Sequence, residues 1–241
     1  MSQEIFKADF NKIASLPDSH AKNNLYERFL LAQIPARCDK ALEVGCGAGA
    51  FSRLLAARSQ NVLAIDFSSG MIGLARVRSS EQSNIEFLMA DISEIDLVPE
   101  SFDCIVSIAT LHHLSQEATL EKLKRALKPN GILLIHDLFE SEGLVDPAIN
   151  MLALAVNAGR QLLYFGRLRP PPKVREAWRE HGRHDTYLTL AQIRRLRDYL
   201  LPQAVLKRHL LWRYSLIWRK PYNFQKKPAP PGQAPDQTFT R

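Results

Sequence analysis

The chain has 241 residues, of which 46% are hydrophobic and 24% charged, with a formal net charge of +7. Those figures give one large domain or two small ones with a sizeable buried core, and no run approaches the ~20 apolar residues that span a bilayer. The charge is lopsided, with 14 Lys/Arg against 19 Asp/Glu in residues 1–144 and 18 against 6 in residues 145–241, so the second half suits an anionic neighbour or a solvated arginine-rich face.

Residues 4–34 read as an amphipathic opening of two helices broken near Pro17, without the apolar core of an export signal, which makes the cytoplasm the expected compartment. Short aliphatic or β-branched runs follow at 41–44, 62–65, 85–88, 104–108 and 132–135. Nearly continuous apolar stretches of this kind mark strands buried on both faces. Helical spacing fills 50–58, 69–78 and 115–128. The last of these ends in Lys124, Arg125 and Lys128, which suit the negative end of a helix dipole, and Pro129-Asn130-Gly131 then predicts a turn. Such alternation gives right-handed crossovers and a doubly wound sheet.

From residue 144 the pattern changes. An apolar helix is expected over 147–165, then a Pro/Arg-rich link and a polar segment. Thr189 and Gln192 form a capping box opening a helix to about 200, and strand-like runs at 204–211 and 213–219 close the fold as a hairpin. The proline-rich tail from 221 is expected to be disordered. Cys38, Cys46 and Cys104 form no CxxC pair and have no histidine at ligand spacing, so neither disulfides nor a metal site is expected.

The first strand runs into Glu43-Val44-Gly45-Cys46-Gly47-Ala48-Gly49 and then a helix. Glycines there allow a tight bend and close approach of a ligand to the main chain, outside the carboxyl ends of the strands. Gly45, Gly47 and Ala50 also satisfy the G-x-G-x-x-G/A pattern, so the loop alone leaves NAD open. Asp66 at the end of the second strand suits a ribose of either cofactor. Asp91 ends the third strand, Phe102–Ser107 leads to Leu111-His112-His113-Leu114, and Leu127-Lys128-Pro129-Asn130-Gly131 introduces the fifth strand.

This ordered series resembles the class I S-adenosylmethionine (SAM) dependent methyltransferases, in particular the small-molecule branch that includes ubiquinone and menaquinone biosynthesis enzymes. The resemblance covers about residues 38–138. It implies an α/β fold: a doubly wound, Rossmann-like, mainly parallel seven-stranded sheet with an antiparallel C-terminal hairpin and a helical lid. The implied organisation is a helical cap (1–37), a SAM-binding core (38–143), a lid insertion (144–188), a final helix and hairpin (189–220) and the tail (221–241).

The resemblance also implies residue roles. Gly45, Cys46, Gly47 and Gly49 pass under the methionine portion of S-adenosyl-L-methionine, with Glu43 leading in. Asp66 takes the ribose, Phe67 and Met71 flank the adenine, Asp91 accepts its amino group, and Ile92 offers a backbone donor. Ile108 and Ala109 stand where a main-chain carbonyl meets the methionine ammonium. Ala48 departs from the hydroxyl residue often found at its place.

Methyl transfer needs an aligned acceptor and, where required, a base. His113 is the expected base by likeness to phosphobase methyltransferases, and His184 beside Asp185 is a second candidate, with His181 and Tyr187 in the same polar segment. Tyr26, His112, Asp137 and Tyr187 are expected near the acceptor, a small molecule of anionic or lipidic character. Residues 147–175 suggest weak membrane-surface contact, against the alternative of a lid helix packed on the sheet. Nucleic acid is disfavoured, because Trp212, Tyr214 and Trp218 fall on closing strands where packing accounts for them.

Overall fold

The structure is a computed structural model that describes residues 3–16, 26–140, 155–156, 158–159, 162–163, 166, 171–183 and 185–222. After α1 (Gln3–Ser15) and α2 (Glu27–Gln33) the chain alternates β1 (Cys38–Val44), α3 (Ala50–Ala56), β2 (Ser59–Asp66), α4 (Ser69–Arg78), β3 (Ile85–Met89) and β4 (Phe102–Ile108). A 3-10 turn at Leu111–His113 leads to α5 (Gln116–Ala126) and β5 (Leu127–Leu138). Then come α6 (Pro172–His181), α7 (Leu190–Leu200), β6 (Val205–His209) and β7 (Arg213–Arg219). The seven strands lie in the order β3-β2-β1-β4-β5-β7-β6, with β1 to β5 parallel and β7 antiparallel to both neighbours. The order reverses between β1 and β4, and a doubly wound sheet opens its ligand crevice there.

Strand periodicity of two sorts the apolar runs onto opposite faces. Leu42, Val44, Ile105, Leu133 and Ile135 pack with Leu120 and Leu123 of α5 and Ile193 of α7. Ala41, Val62, Ala64, Cys104, Val106 and Leu134 pack with Phe51 of α3 and Ile72 of α4. Tyr214 and Trp218 belong to the first core and Trp212 packs against it, as the closing-strand reading requires. The cysteines Cys38, Cys46 and Cys104 are free and buried. Among the described residues no helix is long and apolar enough to cross a membrane.

Two expectations change in detail. The turn predicted at Pro129-Asn130-Gly131 is a bulge inside β5: α5 stops at Ala126, Leu127 already pairs with Phe102, and the register then shifts so that Ile132 pairs with Cys104. Asn130 takes φ 66 there, and its amide donates to Lys220 O, so the extra residues are absorbed at the strand's edge on β7. The strands are also longer than their apolar runs, because edge pairing carries exposed residues such as Asp39 and Lys40 in β1. The helix expected over 147–165 and the tail beyond Tyr222 fall largely or wholly outside the described residues. Of the basic segment after it, α6 buries Val174, Ala177 and His181, while Lys173, Arg175 and Arg179 stay exposed.

Thr189 accepts from the Gln192 amide and Gln192 returns a bond to the Thr189 amide, a complete capping box. Thr189→Ala is expected to cost about 1 kcal/mol, read as a lower urea midpoint at unchanged m-value. A buried pair joins β1 to α3, where the Ser52 hydroxyl donates to the Glu43 carboxyl. Burial pushes that carboxyl up to about 8 from its usual 4.5. Between those values the folded chain keeps a proton that the unfolded chain has released, so this group's contribution to stability declines as pH rises. The buried His136 imidazole, held down to about 3, contributes an opposite slope equally in wild type and variant, so it cancels in their difference. Over about pH 6.5 to 8, Glu43→Gln is therefore expected to remove a decline approaching ~1.4 kcal/mol per pH unit, measured by urea melts without added ligand.

Candidate active site

The bend after β1 is built on left-handed backbone. Gly45, Gly47 and Gly49 have φ of 75°, 51° and 73°, a region that side chains rarely adopt. At Gly45 there is no room either: a Cβ would lie 1.9 Å from Thr110 Oγ1. Gly49 is the residue before α3, and its carbonyl accepts the Arg53 amide. The Cys46 thiol is buried beside this bend and pushed up by burial, so it is a packing group.

Asp66 closes the bend from the neighbouring strand. One carboxylate oxygen accepts the Gly47 amide at 2.8 Å and the other accepts the Ser68 amide at 2.9 Å. The residue is 7% exposed, and burial raises its pKa while the two amides lower it. The Ser68 hydroxyl in turn caps α4 by accepting the Met71 amide. Above this corner lies α1. Asn11 Oδ1 accepts from the Ser68 hydroxyl at 2.7 Å and the Gly70 amide at 3.0 Å, Phe10 meets Phe67 edge-on at 5.7 Å, and Ile13 packs on Met71. A polar side chain of the opening helix thus serves as the cap that sequence reasoning missed; no periodicity marks a side chain whose partner lies 57 residues away.

At the next strand ends, Asp91 accepts the Ser93 amide and hydroxyl, both at 2.7 Å. Ile92 is buried, and its carbonyl accepts Lys122 Nζ. Ile108 offers its carbonyl to the Thr110 hydroxyl at 3.0 Å, while Ala109 holds φ 50° and donates its amide to His136 O. Strained backbone of this sort persists where its surroundings over-determine it.

The 3-10 turn places His112 and His113 on this rim. Asp137 holds His112 twice, through the ring Nδ1 at 2.6 Å and the backbone amide at 3.0 Å. The His113 ring lies 4.8 Å from Phe6, 5.7 Å from Phe10 and 5.1 Å from His181. Its Nδ1 stands 3.4 Å from Asp185 Oδ1, and Tyr187 donates its hydroxyl to Asp185 Oδ2 at 2.6 Å. Burial, and then the neighbouring histidines, hold His113 down to about 2. His181, on α6, faces Asp9 at 3.5 Å and Asp185 at 3.7 Å. A cleft of about 390 Å³ opens beside this group, lined by His112, Gln116, Tyr187, Leu188 and Leu196.

The fold therefore joins His112, His113, Asp137, Asp185 and Tyr187 in one cluster. Tyr26 stands apart from it. Its hydroxyl donates to Leu210 O at 2.9 Å and its ring packs on His136 and His209, so it anchors the hairpin on the opposite sheet face from Asp137. His184 lies outside the described residues.

A methyltransferase-domain family profile matches residues 42–135, which span β1 to β5. An uncharacterized methyltransferase of Mycobacterium tuberculosis is 29% identical over 200 residues, covering 81% of this chain and 94% of that one. A demethylmenaquinone methyltransferase of Clavibacter sepedonicus is 32% identical over 105 residues, 43% of either chain. Among solved structures, the N-methyltransferase NodS from Bradyrhizobium japonicum, in complex with S-adenosyl-L-homocysteine, aligns over 89% of this chain and 98% of its own, with a TM-score of 0.61 at 18% identity. With the glycine bend and two strand-end acids inside it, the segment 42–135 matches the methyltransferase-domain family, and the described sheet has the Rossmann-like fold of SAM-dependent methyltransferases.

Proposed function

We propose that this chain transfers the methyl group of SAM to a small-molecule acceptor held beneath α1 at the carboxyl ends of the strands. The observation that carries this reading is the Asp66 carboxylate, which binds the Gly47 amide and so makes the bend and the strand-end acid one unit. Carboxylate oxygens have about four lone-pair sites between them, so acceptor capacity remains for ribose hydroxyls after two amides are bound. In this reading Gly45, Cys46, Gly47 and Gly49 run beneath the methionine portion, with Glu43 supporting them from below. Phe67 and Met71 flank the adenine, Asp91 and the Ile92 amide read its edge, and the Ile108–Ala109 backbone meets the ammonium.

The acceptor faces the His–Asp cluster. The aromatic rings of Phe6 and Phe10 around His113 favour an acceptor with an apolar or flat body and one heteroatom at the polar end. His113, held down to about 2, is a poor proton acceptor near neutrality and acts as a neutral lining imidazole rather than the base expected of it. Transfer from a sulfonium is an in-line displacement, so rigid placement of that heteroatom is the principal service the protein renders.

Isothermal titration with SAM, its demethylated product and NAD tests the cofactor. SAM and the product are expected to bind and NAD to fail; binding of NAD alone would sink the reading. Asp66→Ala is expected to weaken SAM by about 1–3 kcal/mol, the cost of unpaired donors, whereas unchanged affinity removes the ribose contact. Gly45→Ala is expected to lose SAM binding altogether, and Gly45→Ala with Thr110→Ala to recover it at most in part, since the second change removes the contacts at 1.9 and 2.4 Å but keeps Thr110 Cβ at 2.6 Å and the backbone strain.

A further inference from the structure

The 3-10 turn after β4 and the segment after α6 are some seventy residues apart, yet they bring together two imidazoles and a carboxylate whose ligand atoms lie within 4.8 Å of one another: His112, His113 and Asp185. All three side chains are buried: 5% exposed for His112, 7% for His113 and 5% for Asp185. Two of the atoms in this group, His113 Nδ1 and Asp185 Oδ1, are buried without a hydrogen-bond partner. Buried polar atoms are ordinarily satisfied, so each such orphan calls for a reason.

We propose that His112, His113 and Asp185 form a binding site for a divalent transition-metal ion, zinc being the best match, at the acceptor end of the active site. The spacing suits it. Two ligands at ~2.1 Å from a tetrahedral zinc stand ~3.4 Å apart, and His113 Nδ1 is 3.4 Å from Asp185 Oδ1. His181 Nε2, 3.7 Å from the same oxygen, is a further nitrogen within reach. Two imidazoles with one carboxylate is a borderline donor set that suits zinc over the hard, oxygen-seeking calcium or magnesium.

The outer contacts have the form a metal site needs. A ligating histidine commonly binds a carboxylate through its other nitrogen, which fixes the ring and makes it a better donor. Asp137 does this for His112, taking Nδ1 at 2.6 Å and leaving Nε2 to ligate. Tyr187 does the same for Asp185, occupying Oδ2 and leaving Oδ1. Sequence spacing did not reveal the site, because the turn supplies two ligands and the third arrives from beyond α6.

The role of such an ion rests on the methyltransferase reading: with three protein ligands, a tetrahedral ion keeps one position for an acceptor oxygen or nitrogen and would hold it in line with the sulfonium. Whether the ion binds does not depend on that reading. The test uses the full chain after dialysis against a chelator, titrated with ZnCl2 alone, with bound metal measured by elemental analysis and SAM affinity measured in parallel. One equivalent of Zn²⁺ is expected. His113→Ala and Asp185→Asn are expected to abolish it, and Asp137→Asn to weaken it 10- to 100-fold, while all three keep the wild-type circular dichroism spectrum, which reports an intact fold. Uptake below one equivalent, or equal uptake by wild type and His113→Ala, overturns the site. Zinc without SAM binding would overturn the methyltransferase reading and leave the metal site standing; SAM without zinc would do the reverse.

Discussion

One buried carboxylate organises the functional rim. Asp66 receives amides from both sides, Gly47 after β1 and Ser68 before α4, and thereby joins two strand-to-helix turns that the parallel ladder alone leaves independent. A buried carboxylate is tolerated only when its oxygens are satisfied, so the bend must close for the acid to remain. The glycines follow from this requirement. Positive φ at three alternate positions lets the chain turn back within hydrogen-bond reach of the neighbouring strand, and Thr110 stands so close to Gly45 that no side chain fits.

From that corner the site spreads along the rim according to side-chain parity. β5 presents His136 and Asp137 to opposite faces. His136 binds Ser215 and packs with Tyr26 and His209 under the hairpin, whereas Asp137 holds the His112 turn. Adjacent residues of one strand thus serve separate ends, one under the hairpin and one at the His112 turn. α1 covers the second region from outside, tied by Asn11 to the α4 cap and by the exposed Lys12–Glu180 pair to α6.

The sequence made the sheet legible because strands buried on both faces leave uninterrupted apolar runs, and because the glycine bend and the two strand-end acids keep fixed places relative to those runs. The capping box at Thr189 was equally plain, being a contact across three residues. What stayed hidden was of longer range. Pro129-Asn130-Gly131 carries the local signature of a turn, but pairing with β7 turns it into a bulge. Tyr26 has the chemistry of an active-site residue, yet a carbonyl in the hairpin takes its hydroxyl. Asp185 and His113 were each noticed separately, and only the packing of α6 against α1 brings them within 3.4 Å. Local patterns encode elements; the meeting of distant side chains depends on how those elements dock.

The antiparallel final strand also decides where the described chain departs. Arg213 pairs with Leu138 beside the rim, and Arg219 pairs with Ile132 six residues lower, so β7 carries the backbone ~20 Å away from the reactive end. Lys220 then fastens it at the base, its amide to Gly131 O and its ammonium to Leu127 O. Tyr222, the last described residue, therefore sits at the base of the sheet, at the end opposite the glycine bend.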